Sequence, residues 1–390
     1  MSSPAVSTTF RSIIGLRRHL LRQLRQSTRV SVVTMSSTGV SAPPQCLLKP
    51  LDFPHKTLMG PGPSNCPPRI LAACALPMLG HLHPEFIKIM DEVKEGLQYA
   101  FQTQNTWTFV VSGTGHGAME AACVNLLEPG EVALVCQNGI WGERFAEMVD
   151  RNGSVPEKLI RPMGQVFNLS EIEEGLKKYK PAILFITHGE SSGATAQPLE
   201  GLGDLCHRYN CLLLVDSVAA LGGVPMYMDK WGIDVIYSGS QKVLSSPPGT
   251  SPIAFSPQAR YHHTAPVSSI YALREGLARL VEMGLEASWK NNRECAEQLW
   301  TGVEKLGLEL YVPNKEERNP CVTAVKVPEG VNWKDVADYT MKNYRVEISG
   351  GLGQLAGKVW RIGIMGYNAT PDNIRLVLRA LGEALENVRK

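Results

Sequence analysis

The chain has 390 residues, 44% of them apolar, a length that supports two or three domains with ample core. Its net charge of +2 hides a division: residues 1–45 hold six arginines, no lysine and no acid, leaving 33 basic against 37 acidic side chains, about −4, for the remainder. A basic end on a mildly acidic body excludes a generally basic nucleic-acid binder.

Wound at about 100° per residue, positions 10–29 separate into two faces. Phe10, Ile13, Ile14, Leu20, Leu21 and Leu24 share one, while Arg11, Arg18, Arg22, Arg25 and Arg29 occupy its neighbour. With serine and threonine frequent and acids absent, this is the pattern of a mitochondrial transit peptide; a disordered basic tail is the plainer alternative. Met35 offers a start for a shorter product without the leader, for which a peroxisomal location is the alternative. The final Val-Arg-Lys does not match the Ser-Lys-Leu signal. No uncharged apolar run approaches the roughly 18 residues that span a bilayer, so no membrane partner is expected.

Beyond a proline-containing stretch (43–68), Phe86, Ile89, Met90, Val93, Leu97 and Phe101 predict a helix over 85–102. The run 106–113 reads as a strand, followed by a helix near 116–127. Further strands are expected at 131–135, 182–187, 211–216, 234–239 and 251–256, with helices at 143–152, 170–179 and 200–209 between most of them. Short apolar strands alternating with helices indicate an α/β fold with a mostly parallel sheet buried on both faces. From about 268 a long helix reaching Leu306 is expected to hinge a smaller C-terminal α+β domain, with strands at 308–312, 321–327 and 359–364 and helices at 332–343 and 371–387.

The nine cysteines are scattered, with no C-x-x-C, which fits reduced thiols rather than a disulfide framework or zinc site. The pairs His81/His83 and His262/His263 lack further ligands at metal spacing, so no metal is expected. Four other features carry chemistry. SGTGHGAME (112–120) is a glycine-rich turn opening a helix, suited to a phosphate. Gly113, Gly115 and Ala118 meet a loose dinucleotide fingerprint, but the next strand ends in Cys136, Gln137 and Asn138 rather than the acid that would hold a ribose. Asp216 ends an apolar strand, where a carboxylate faces the ligand crevice of an open α/β sheet; a turn or cap Asp is the alternative. Lys242, in a Ser/Gly turn after the next strand, is placed for desolvation and Schiff-base chemistry. Arg361 interrupts the apolar run WRIGIMG and suits a carboxylate or an internal ion pair. Together they make a pyridoxal phosphate site: phosphate cradle, acidic partner for the ring nitrogen, lysine, and substrate anchor.

These residues sit in strings that resemble one family: LMGPGPSNCPPRI (58–70), VSGTGHGAMEAA (111–122), NGIWGERF (138–145), THGESSGATAQPL (187–199), LLLVDSVAALGG (212–223), YSGSQKVLSSPPGTS (237–251), YHHT (261–264), and GGLG through RIGIMG (350–366). The chain is similar to the alanine–glyoxylate, or serine–pyruvate, aminotransferases of class V, which are fold-type I pyridoxal phosphate enzymes. The resemblance runs from about residue 46 to the end. It implies that Lys242 carries the cofactor and shuttles the proton at the substrate α-carbon, and that Asp216 keeps the ring nitrogen protonated. Trp141 would stack on the ring, with Ser191 beside the cofactor. Thr114, Gly115, His116 and Gln241 would lie on the phosphate side, and Tyr261 and Thr264 would reach the phosphate of a neighbouring subunit in a homodimer. Arg361 would hold the substrate α-carboxylate.

The implied organisation is a leader (1–45), an N-terminal arm (46–59), a large cofactor domain (60–284) and a small C-terminal domain (285–390). One departure stands out. The family has a few dozen further residues between the strand at 251–256 and YHHT; here Pro257 to Arg260 alone join them. The expected reaction moves the amino group of L-alanine or L-serine to glyoxylate or pyruvate. Its rivals are a lyase or desulfurase on the same fold, and an inactive family variant.

Overall fold

The computed structural model describes residues 44–257 and 267–388. Contacts divide the chain into two units at Pro54/His55. In the first, the described stretch is one 3-10 turn, Gln45–Leu48, and extended chain with Leu51 and Phe53 exposed. Every sheet among the described residues belongs to the second unit.

Fourteen strands are present in that unit. β1 (Thr57–Leu58) precedes β2 (Trp107–Ser112), β3 (Val132–Gln137), β4 (Val155–Ile160) and β5 (Ile183–Thr187). A short hairpin, β6 (Gly189–Glu190) and β7 (Thr195–Ala196), leads to β8 (Leu212–Asp216), β9 (Val235–Tyr237) and β10 (Thr250–Phe255). The C-terminal strands are β11 (Val322–Lys326), β12 (Val346–Glu347), β13 (Ser349–Gly350) and β14 (Val359–Gly363). The main sheet has the order β2-β10-β9-β8-β5-β3-β4. From β9 to β4 all pairings are parallel, and β10 runs against both its neighbours. The near-continuous burial of β3, β5 and β8 is what their unbroken apolar runs predict for strands covered on both faces.

The helices are α1 (Pro68–Cys74), α2 (Pro84–Phe101), α3 (Gly115–Leu126), α4 (Ile140–Arg151), α5 (Leu169–Tyr179), α6 (Leu202–Arg208), α7 (Val267–Met283), α8 (Leu285–Lys305), α9 (Trp333–Tyr344) and α10 (Pro371–Val388). On one face of the main sheet α2, α5, α6 and α7 share a core that includes Phe86, Leu97, Leu176, Leu205 and Leu273. On the other face α3 and α4 contribute Ala118, Met119, Phe145 and Val149. Phe145 of α4 stacks on Phe185 of β5 with ring centroids 4.0 Å apart, an arrangement worth about 0.5–1.5 kcal/mol beyond the area it buries. α5 opens with a capping box, Asn168 and Glu171 each satisfying the other's backbone N–H, worth about 1 kcal/mol.

Two expectations are corrected, and one strand was missed. The helix expected from 268 to 306 is two helices, because Gly284 sits at φ +82°, where an α-helix cannot continue. Residues 308–312 form no strand: between Gly307 at φ +72° and Pro313, only Leu310 makes a bridge, to Val325. β4 (VPEKLI) was not expected from its polar sequence. It is an outer strand with exposed Val155 and Ile160, and an edge position tolerates Pro156.

β11-β14-β13 make a separate antiparallel sheet, packed with α8, α9 and α10 around Leu299, Trp300, Val336, Trp360, Ile362 and Leu381. β1 pairs in parallel with β12, so Met59 joins this second core. All nine cysteines are free, six of them buried. No described helix is long and apolar enough to cross a membrane, and the described residues hold no group of three or more metal-ligating side chains.

Candidate active site

The C-terminal ends of the parallel strands converge on one cavity of about 370 Å³, the position at which open α/β sheets bind ligands. Asp216 ends β8, Lys242 follows β9, Trp141 follows β3, and Ser191 follows β5 and the β6 turn. At the same edge β2 ends in the turn that opens α3. Sequence-predicted Thr114, Gly115, His116, Trp141, Ser191, Asp216, Gln241 and Lys242 all line the cavity. Tyr261 and Thr264 lie outside the described residues, as do His262 and His263.

At one end stands the start of α3. Thr114 is its N-cap, and its side chain makes no capping bond, so the first N–H groups of the helix lack an intrahelical acceptor. Gly115 keeps this entrance close to the loop after β8, since a Cβ there would come within 2.9 Å of Val218 Cγ2. Gln241 lines the same cavity, where its side-chain amide N–H groups can add donors. Unpaired N–H groups at the positive end of a helix fit a phosphate.

Asp216 is 2% exposed. Its Oδ1 accepts from the Val218 N–H at 2.9 Å and its Oδ2 from the Tyr237 hydroxyl at 2.8 Å. Burial nevertheless pushes its pKa up to about 6. A buried carboxylate that resists ionisation gains most from a cationic neighbour, such as a protonated ring nitrogen. Lys242 is lowered to about 8, first by burial and then by the Arg361 charge; Asp216 and Cys321 oppose the shift. Its Nζ donates to the Pro61 carbonyl. Gly62, at φ +111°, leaves room for the lysine stem, because a Cβ there would sit 2.6 Å from Lys242 Cδ. The 61–64 turn is tied to the lysine's own turn by Ser64, whose N–H donates to the Gln241 carbonyl and whose Oγ donates to the Lys242 carbonyl.

Trp141 lies in the first turn of α4, where its Nε1 donates to Ser191 Oγ at 2.9 Å. Arg361 comes from β14, 6% exposed, and stands behind the Ser191 turn. Its Nε donates to the Gly350 carbonyl at 2.9 Å and its Nη1 to the Ser191 carbonyl at 3.3 Å, while Nη2 has no hydrogen-bond partner among the described residues. Reading the sequence missed Tyr237, which holds Asp216. It also missed Arg144, whose guanidinium lies 5.0 Å from the Trp141 ring centroid at the cavity wall. Arg144 had a findable signal: it follows Trp141 by three residues, one helical turn.

The profile of the class-V aminotransferases matches residues 69–260 and 253–375, two stretches that meet at the shortened junction. The chain belongs to the class-V aminotransferases. It is 51% identical to the alanine–glyoxylate aminotransferase of Callithrix jacchus, covering 90% of this chain and 92% of that protein. That alignment runs over 381 residues yet uses 90% of the 390 here, about 351, so about 30 positions have no counterpart in this chain. Identity to the (S)-ureidoglycine–glyoxylate transaminase of Bacillus subtilis is 32%, over 85% of this chain and 91% of that one. The crystal structure of the alanine–glyoxylate aminotransferase of Nostoc sp. superposes with a TM-score of 0.84 at 41% identity, covering 86% and 97% of the two chains. Class-V aminotransferases use pyridoxal phosphate, and the cavity fits it: a helix entrance for the phosphate, a buried acid for the ring nitrogen, and a desolvated lysine between them.

Proposed function

We propose that this aminotransferase takes the amino group of L-alanine, or L-serine, and passes it to glyoxylate, or pyruvate. The substrates rest on 51% identity to a protein named for them; the reaction class rests on the site. The observation that carries it is the convergence of Lys242, Asp216 and the α3 entrance on one cavity, with Arg361 directly behind.

The pyridoxal phosphate ring, when bound, supplies a sink for the electron pair left on the substrate α-carbon. Asp216 would hold the ring nitrogen in its protonated form. Lys242, its pKa lowered to about 8 by burial, would attach the cofactor through its neutral amine and would move the proton at the α-carbon. Trp141, its indole fixed by the bond to Ser191 Oγ, would pack against the ring. The first N–H groups of α3, with Thr114, Gly115, His116 and Gln241, would hold the phosphate. Arg361 would receive the α-carboxylate through Nη2, its Nε and Nη1 being held by the Gly350 and Ser191 carbonyls. The phosphate would then rest on the α3 entrance of the main sheet and the α-carboxylate on Arg361 of β14, with Lys242 supplied by the turn after β9.

In this reading the enzyme is a homodimer, in which Tyr261 and Thr264 reach the partner's phosphate. Residues 1–34 direct it to mitochondria, and a product starting at Met35 is the peroxisomal alternative. A desulfurase would need a mobile cysteine at the cavity. Among the described residues no cysteine lines it, and Cys321, behind it, is fully buried.

Purified full chain with pyridoxal phosphate should show visible absorption that L-alanine alone bleaches, with stoichiometric pyruvate release. Absence of bound cofactor and a monomeric elution profile would establish the inactive variant instead. A fluorescent fusion to residues 1–34 should concentrate in mitochondria; a diffuse signal would exclude the leader reading.

A further inference from the structure

One buried charge is not used by the chemistry above. Glu190 is 0% exposed, at the end of β6. Its Oε2 accepts three bonds from the turn that follows: Ser192 N–H at 2.8 Å, Ser192 Oγ at 2.6 Å and Gly193 N–H at 2.6 Å. Its Oε1 is buried beside the Trp141 backbone N–H at the start of α4. The carboxyl lies against Gly139, the N-cap of α4, where a Cβ would run into the Glu190 carboxyl carbon. Ser192 Oγ in turn accepts the Ile140 N–H at 3.1 Å, so the Glu190 turn also caps α4. The charge thus sits at the positive end of the helix that carries Trp141. The Glu190 charge acts in turn on Arg361, which is bonded to the carbonyl of Ser191, the next residue, while burial pushes the Glu190 carboxyl above the ordinary carboxylate range.

From this arrangement we infer that Glu190 is a positioning residue for the substrate end of the site. Its carboxylate locks the start of α4, the Ser191–Gly193 turn and the Arg361 guanidinium into one unit and supplies the counter-charge that shields Lys242 from Arg361. The inference deepens the aminotransferase reading and rests on it for the meaning of Lys242 and Arg361. A buried guanidinium without a counter-charge is costly, and removing one partner of such a pair costs far more than removing both.

Two variants separate geometry from charge. Glu190→Gln keeps an oxygen for the three donors at the turn and loses the charge. Arg361→Gln loses the other charge. The first measurement needs no cofactor: thermal melting of the cofactor-free full chain across the double-mutant cycle. Each single variant should melt well below wild type, and the double variant should recover most of the loss. Additive losses would overturn the pairing.

The second measurement follows the visible absorption of the cofactor-loaded protein against pH. The groups facing Lys242 are Arg361, Asp216 and Cys321. With Glu190 neutral, the unshielded Arg361 charge should move the absorption midpoint to lower pH by on the order of one unit. An unmoved midpoint in a folded, loaded Glu190→Gln protein would reduce Glu190 to a structural cap and overturn its electrostatic role. If Glu190→Gln alone fails to fold, folding of the double variant supports the pair, and its failure overturns it. If wild type takes up no pyridoxal phosphate, the aminotransferase reading fails while the melting cycle still decides the pairing.

Discussion

The two ends of the cavity are built differently. The cofactor end uses the main sheet alone: Asp216, Lys242 and the α3 entrance each lie within a few residues of a strand terminus, and backbone geometry does most of the binding. The carboxylate end joins two sheets. Arg361 comes from β14, and its guanidinium is held by carbonyls of Gly350 and Ser191, the latter 170 positions away in the chain. An end made from strand termini tolerates change elsewhere in the protein. An end assembled across two sheets depends on their register. Substitutions at the first should therefore damage chemistry, and substitutions at the second should damage substrate affinity.

Lys242→Ala tests that division most severely. Steady turnover should fall by roughly a thousandfold or more with the melting temperature preserved, because the amine is lost from a site that it stabilises little. Retained turnover in a rapid-quench assay would mean that another group does its work.

Asp216→Asn should separate stability from function at the same end. The Asp216 pKa is raised to about 6, so the stability it contributes is present below the ordinary carboxylate range and is lost as pH rises through 6. The cofactor-free Asn variant should thus exceed wild type by about 2–3 kcal/mol at pH 7.5, converging at pH 4 and below, while turning over far more slowly. Urea unfolding at both pH values reads this directly, and equal stabilities at pH 7.5 would contradict it.

At the other end, Arg361→Lys should raise KM for L-alanine by about 10- to 100-fold with a smaller change in kcat, since an ammonium cannot keep two backbone bonds and still fork toward a carboxylate. A loss confined to kcat would erase the contrast between the ends. Tyr237→Phe is the mildest. Losing the 2.8 Å bond to Asp216 should raise that carboxyl further, moving the acidic limb of kcat upward by less than about one pH unit.

The same contrast governs what the sequence could reveal. Asp216, Lys242 and the glycine turn at 112–117 were legible because a polar residue at the end of an apolar run has few structural reasons to be there. Arg361 was legible as an interruption of an apolar strand, but its partner was not. Glu190 sits among polar residues, in a two-residue strand too short to show a period, and its contacts to Gly139 and toward Arg361 are set by tertiary packing. Tyr237 looked like one more apolar strand residue, since only burial beside Asp216 gives its hydroxyl a purpose. β4 hid behind Pro156, Glu157 and Lys158, and the break at Gly284 hid because a lone glycine does not rule out a helical pattern.

That break has a mechanical consequence. α8 begins immediately after Gly284, yet its first turns, through Leu285 and Trp289, are seated in the core of the main sheet, while Cys295 to Val303 belong to the core of the smaller one. A pivot at Gly284 would have to pull Leu285 and Trp289 out of their packing. Rocking of one core against the other is instead confined to the helix's own length between Trp289 and Cys295, and a rod two turns long bends little. The distance between Lys242 and Arg361 is therefore set less by a joint than by a strut.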